Sequence, residues 1–239
     1  KTVNPNNKVE TTNNSSNIPK FNFDSALVKV KNGLNPRNQT KLLELEKDIN
    51  VAENSKKILA YNQLASYWKD SLHVIEPYLF YTSEAAKLDN SEKNLTFAAQ
   101  LFLISLRDEQ NESKLEWESS EAISLFEKAI ALNPNNDDLK IGLGSCYVFG
   151  KGRNGNPQET MKGIQELLGV VRRDSMNMKA QLVLGIGGYI SGQYDKAIAR
   201  FIKVVESEPE NSNLLALGNI QGGGAGFRRR RDGSHRQIG

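Results

Sequence analysis

Cysteine, histidine and long apolar runs are all scarce in this chain, and each shortage excludes something. One cysteine, Cys146, rules out an internal disulfide and any redox argument from pairing. Two histidines, His73 and His235, with no cluster of carboxylates and histidine at ligand spacing, leave no metal site to expect. No stretch approaches the roughly 18 apolar residues needed to cross a bilayer. Net charge is also small. The formal value is +3, but residues 221–239 hold five Arg and one Asp, and without them 26 basic side chains face 27 acidic ones. The basicity belongs to the tail, and the rest is near neutral.

Catalytic arrangements are missing as well. Cys146 follows Ser145 within a helical pattern and reads as a buried, inert thiol, since reactivity needs an exposed electropositive setting. His73, flanked by Leu72 and Val74, reads as a helix-turn residue. Gly150, Gly152 and Gly155 match G-x-G-x-x-G, but a dinucleotide loop follows a strand and opens a helix. Here a helix precedes it, and Gly152 stands after Lys151 where a P-loop needs Ser or Thr. The stretch GKGRNGNP is read as an inter-helix loop. Neither an enzyme, a cofactor nor a small-molecule substrate is expected.

What the chain does have is helical period. With 38% apolar and 25% charged residues its composition is that of an ordinary soluble chain. Between Tyr194 and Glu208, Ala197, Phe201 and Val204 recur at i, i+4 and i+7, with Ile198, Ile202 and Val205 one step behind and Lys196, Arg200, Lys203 and Glu206 facing away. Before them, Met178 to Ile190 is helical in period but carries Gly185, Gly187 and Gly188, each costing roughly 1 kcal/mol relative to Ala. A close helix contact would offset that, and Ala197 supplies a small partner, expected to face Gly185. Ser191-Gly192-Gln193 turns the chain and Pro209 ends the second helix.

Leu184-Gly185, Gly192, Tyr194, Ala197, Phe201 and Pro209 resemble the tetratricopeptide repeat (TPR), whose period is about 34 residues. Counting Met178 as the first position, Leu184 and Gly185 are seventh and eighth, Ala197 twentieth, Phe201 twenty-fourth and Pro209 thirty-second. Gly188 at the eleventh position and Val204 at the twenty-seventh depart from the usual aromatic and Ala. The resemblance implies an all-α fold, a TPR-like α-solenoid of helical hairpins wound as a right-handed superhelix.

Upstream, the same phase gives hairpins at about 56–92, 93–136, 137–177 and 178–211, with a partial one at 212–220, inside a helical domain placed at 40–220. Leu64-Ala65 and Trp68 mark the first of these, with Pro77 near the start of its second helix. Ala122, Phe126, Ala129 and Pro134 mark the end of the next, whose first helix is Leu95 to Arg107. Between them Asp108 to Ser119 is an insertion that either extends both helices or forms a loop anchored by Trp117. Leu143, Gly144 and Tyr147 mark the third unit. Thr40 is taken as an N-cap before LLELEKDI. Residues 1–22, with six asparagines among the first 20, read as a disordered spacer. Residues 221–239 read as an irregular, non-native Arg-rich tail.

The resemblance further implies protein binding on the concave face, lined by the second, fifth, ninth, twelfth and thirteenth positions of each first helix. These are Asp138, Ile141, Ser145, Val148 and Phe149 in the third unit, and Lys179, Leu182, Ile186, Tyr189 and Ile190 in the last. A chaperone-type carboxylate clamp wants Lys and Asn at the fifth and ninth positions, which Ile141, Ser145, Leu182 and Ile186 do not supply. The groove instead suits an amphipathic helix or hydrophobic peptide, unless its apolar positions pack between repeats. The alternative function is nucleic-acid binding through Arg228 to Arg231. A spacer-led chain is also similar to bacterial envelope-associated TPR proteins anchored at the N-terminus, which implies a membrane link only through such an anchor.

Overall fold

The computed structural model describes residues 19–50, 53–153 and 156–207. The expected spacer before residue 19, the partial helix at 212–220 and the Arg-rich tail lie outside them. Among the described residues there are ten α-helices and no strand: α1 (Phe23–Asn32), α2 (Pro36–Lys47), α3 (Asn54–Ser66), α4 (Ile75–Asp89), α5 (Glu92–Asp108), α6 (Glu112–Leu132), α7 (Asp137–Cys146), α8 (Pro157–Arg173), α9 (Met178–Ile190) and α10 (Tyr194–Ser207).

The asparagines scattered along the chain explain where many helices begin. Asn22, Asn35, Asn111, Asn136, Asn156 and Asn177 each accept a backbone N–H of the following first turn with the side-chain oxygen, a cap typically contributing about 1 kcal/mol. Two of them precede proline at the first helical position, Pro36 and Pro157, where a missing N–H costs nothing. Thr40 is therefore not a cap. It lies inside α2 and its hydroxyl donates to the Pro36 carbonyl at 3.0 Å.

Helices α3 to α10 pair as antiparallel hairpins, and α5, α7 and α9, each the first helix of a pair, also touch one another in sequence. This is the two-layer stack of a TPR-like solenoid: first helices form the inner layer and second helices the outer one. Burial follows the register. Leu64, Ala65 and Trp68, Ala98, Ala99 and Phe102, and Leu143 and Gly144 point into the core, as do Ala122, Phe126, Ala129, Ala197 and Val204 from the second helices. Three apolar clusters run along the stack, centred on α2 to α4, α4 to α7, and α7 to α9. Ion pairs join the second helices α4 and α6 at two levels, Lys87 to Glu121 at 2.9 Å and Lys114 to Glu76.

Three expectations change, and one of two alternatives is selected. The helical region starts at Phe23, not near residue 40. The insertion at 108–119 extends both helices, α5 ending at Asp108 and α6 running for 21 residues from Glu112. Its Trp117 is not the anchor of a loop but the floor of a seat for α1: the ring of Phe23 stacks on it at 5.6 Å between centroids, that of Phe21 lies at 5.1 Å, and Phe23 also stacks on Phe80 at 4.0 Å. The glycines of α9 also pair differently from expectation. A β-carbon on Gly188 would meet that of Ala197 at an ordinary 3.4 Å, whereas one on Gly185 would collide with the Phe201 ring.

The stretch GKGRNGNP begins as helix. A wide, π-type turn carries α7 on from Tyr147 to Lys151, with the Gly152 N–H donating to the Tyr147 carbonyl at 2.7 Å. Gly150 and Gly152 are buried, and a β-carbon on either would strike Ser119 or Thr160. Their lack of a side chain serves packing against α6 and α8. His73 takes a positive φ of 54° in the turn between α3 and α4, and its ring Nδ1 lies 3.0 Å from the Lys69 carbonyl.

Candidate groove on the inner layer

Inner-layer helices present two kinds of side chain at the repeat positions expected to line a groove. At its rim stand Lys93, Asp138 and Lys179, each at the second repeat position of its helix. Lys179 Nζ reaches Asp138 Oδ1 at 3.2 Å, tying the starts of α9 and α7 across the solvent-exposed edge. Such an exposed pair contributes no more than about 1 kcal/mol, so it marks the rim more than it holds the fold.

Deeper positions divide by burial. Ile141 and Ser145 are only 8% and 3% exposed, and Val148 is fully buried. Ile141 and Val148 belong to the apolar cluster shared with Val183 and Leu184 of α9. They pack between repeats, the alternative left open for these positions, and present little surface to a ligand. Leu182, Ile186 and Phe149 are partly exposed, while Asp138, Lys179, Tyr189 and Ile190 are open to solvent. Phe149 is held from both sides: it packs against two core clusters, and the Arg107 guanidinium lies 5.2 Å from its ring centroid.

Helix α5 adds residues that the sequence reading passed over. In its register Ala98, Ala99 and Phe102 are seventh, eighth and eleventh, so Gln100 and Ile104 fall on the ninth and thirteenth positions. Phe97 and Ile104 are 51% and 64% exposed and lie two helical turns apart on one side of α5. The signal was present, since Ala98-Ala99 and Phe102 fix the phase, but the insertion after Asp108 broke the count from the downstream repeats.

No group of three or more His, Cys, Asp or Glu among the described residues is arranged to hold a metal ion. Cys146 is buried, and burial pushes its thiol far above the ordinary range. No described helix is long and apolar enough to cross a membrane. A separate cleft of about 570 Å³ lies away from the groove, between α1, Pro77 and Glu76 of α4, and Lys114 of α6.

No protein-family model matches this chain, and no match to it is found among the curated proteins. Among solved structures, a crystal structure of MamA is 19% identical, covers 71% of this chain and 87% of that one, and superposes with a TM-score of 0.46. A second MamA crystal structure is 18% identical over 74% of this chain, with a TM-score of 0.43. The MamA RS-1 ArsTM double mutant is 16% identical, covers 80% and 98% of the two chains and gives a TM-score of 0.46.

Proposed function

We propose that this protein is a non-enzymatic interaction scaffold that takes a segment of a partner protein, an amphipathic helix or a hydrophobic peptide, into the groove of its inner layer. One observation carries the reading: large apolar side chains stand exposed along successive inner helices, Phe97 and Ile104 on α5 and Tyr189 and Ile190 on α9, with Leu182, Ile186 and Phe149 partly open between them. Exposed apolar groups scattered singly need no explanation, but a row of them on one concave surface marks an interaction site. The charged rim of Lys93, Asp138 and Lys179 would orient the segment without supplying much affinity.

The test uses Ile104→Asp and Tyr189→Ala, chosen because both side chains are exposed, with Leu132→Asp at the end of α6 as an outer-layer control. Each protein is checked by circular dichroism and used for capture from a native lysate. The groove reading expects one and the same partner lost from the two inner variants and kept by Leu132→Asp. Retention of all partners by the inner variants would move the binding surface off the groove.

A further inference from the structure

Helix α10 carries an apolar stripe that nothing among the described residues covers. Ile198, Ile202 and Val205 are 53%, 50% and 48% exposed, although a surface helix ordinarily turns polar groups outward. The preceding hairpin shows what this stripe is for. Ile164, Leu168 and Val171 of α8 stand one repeat period earlier at the same three positions. There they lie against the cluster containing Ala180, Val183 and Leu184 of α9. The stripe is thus the face on which a second helix receives the next first helix.

We propose that residues 212–220 of this chain cover the stripe, taking on α10 the place that α9 takes on α8. The spacing supports them as occupant. A first helix beginning at Ser212 would start one repeat period after α9, which begins at Met178. Asn211 falls one repeat period after Asn177, the cap of α9, while Leu214 and Leu217 fall one period after Ala180 and Val183. Residues 212–220 contain no charged side chain. A segment tied by so short a link has an effective concentration on the order of millimolar, which a second copy in dilute solution cannot match.

The full chain carrying Val205→Cys and Leu214→Cys tests this, the native Cys146 being buried and unreactive. Under mild oxidation, intact mass and non-reducing electrophoresis should show an intramolecular disulfide forming several-fold faster than in a control pair, Lys196→Cys with Leu214→Cys, whose first site is exposed on α10. Equal rates in the two pairs would overturn the proposal and leave the stripe to another protein. Disulfide-linked dimers in place of the internal bond would overturn it in favour of a second copy. A separate thiol at Ile202→Cys guards against a docking weakened by the substituted leucine: its alkylation should speed up several-fold when Leu217→Asp is added. An unchanged alkylation rate would contradict the proposal as directly.

Discussion

Gly185 of α9 lies beneath the ring of Phe201 of α10, so close that a β-carbon added to the glycine would meet Phe201 Cδ1 at 2.7 Å. Gly144 and Leu167 repeat the relationship one hairpin earlier, a β-carbon on that glycine again meeting the leucine Cγ at 2.7 Å. The eighth position of a hairpin is therefore fixed by the side chain at its twenty-fourth.

Gly185→Leu should overpack this contact and cost on the order of 1 to 3 kcal/mol. Gly169→Ala, where an added β-carbon meets nothing within 4 Å, should gain about 0.4 to 1 kcal/mol by lowering the entropy of the unfolded chain. Urea denaturation of the two variants checks both signs. Equal stability of Gly185→Leu and the parent would mean that α9 and α10 cross elsewhere.

The seat of α1 gives a second prediction. Phe23→Ala removes a ring stacked on both Phe80 and Trp117 and should cost about 3 kcal/mol, the lower end for a buried Phe. Because Trp68 is fully buried in a different cluster, a red shift of tryptophan emission in the folded variant reports on Trp117 alone. An unshifted spectrum would show that α1 does not shield that indole.

Glu118 gives a pH dependence. Its side chain is buried between α5 and α6, Oε1 accepts from the Ser105 hydroxyl at 2.8 Å, and Oε2 has no partner. Burial pushes its carboxyl up to about 7, the nearby Glu109 and Glu76 adding to the shift and Ser105 and Lys114 opposing it. The folded chain thus holds this proton more tightly than the unfolded chain, whose carboxyl titrates near 4.5. Its contribution is fully present below that value and is lost as pH rises through about 7. Glu76 acts the other way: burial, the largest single influence, would raise it, but its hydrogen bonds to Lys114 and to backbone N–H, together with the Lys114 charge, outweigh burial and hold it low. The clean measurement is the difference between Glu118→Gln and the parent, and the variant should become relatively more stable as pH rises from 4.5 to 7. A constant difference across that range would mean that Glu118 is not buried as described.

Much of this fold can be read without coordinates. The α9 and α10 hairpin declares itself because apolar period, turn glycine and register coincide within a single repeat. Helix α1 does not, although Phe23, Leu27 and Val30 recur at i, i+4 and i+7 after the Asn22 cap. Its reason for burial is Trp117, remote in sequence and carried by an insertion. The groove was legible as a set of positions but not as a set of exposures. Ile141 and Ser145 occupy groove positions, yet the approach of α9 to α7 buries them, and only three-dimensional neighbours decide that. Phe97 and Ile104 were hidden for the opposite reason, a lost count across an insertion.

Site-specific photo-crosslinking decides whether the inner layer receives a partner segment. A photoreactive side chain is placed at Ile104 or Tyr189 on the inner layer and at Leu132 or Met161 on the outer helices, all four sites being exposed, and each protein is irradiated in a native lysate. One discrete adduct common to the two inner sites and absent from the two outer ones is expected. Adducts that form equally from both layers, or from the outer sites alone, would contradict it.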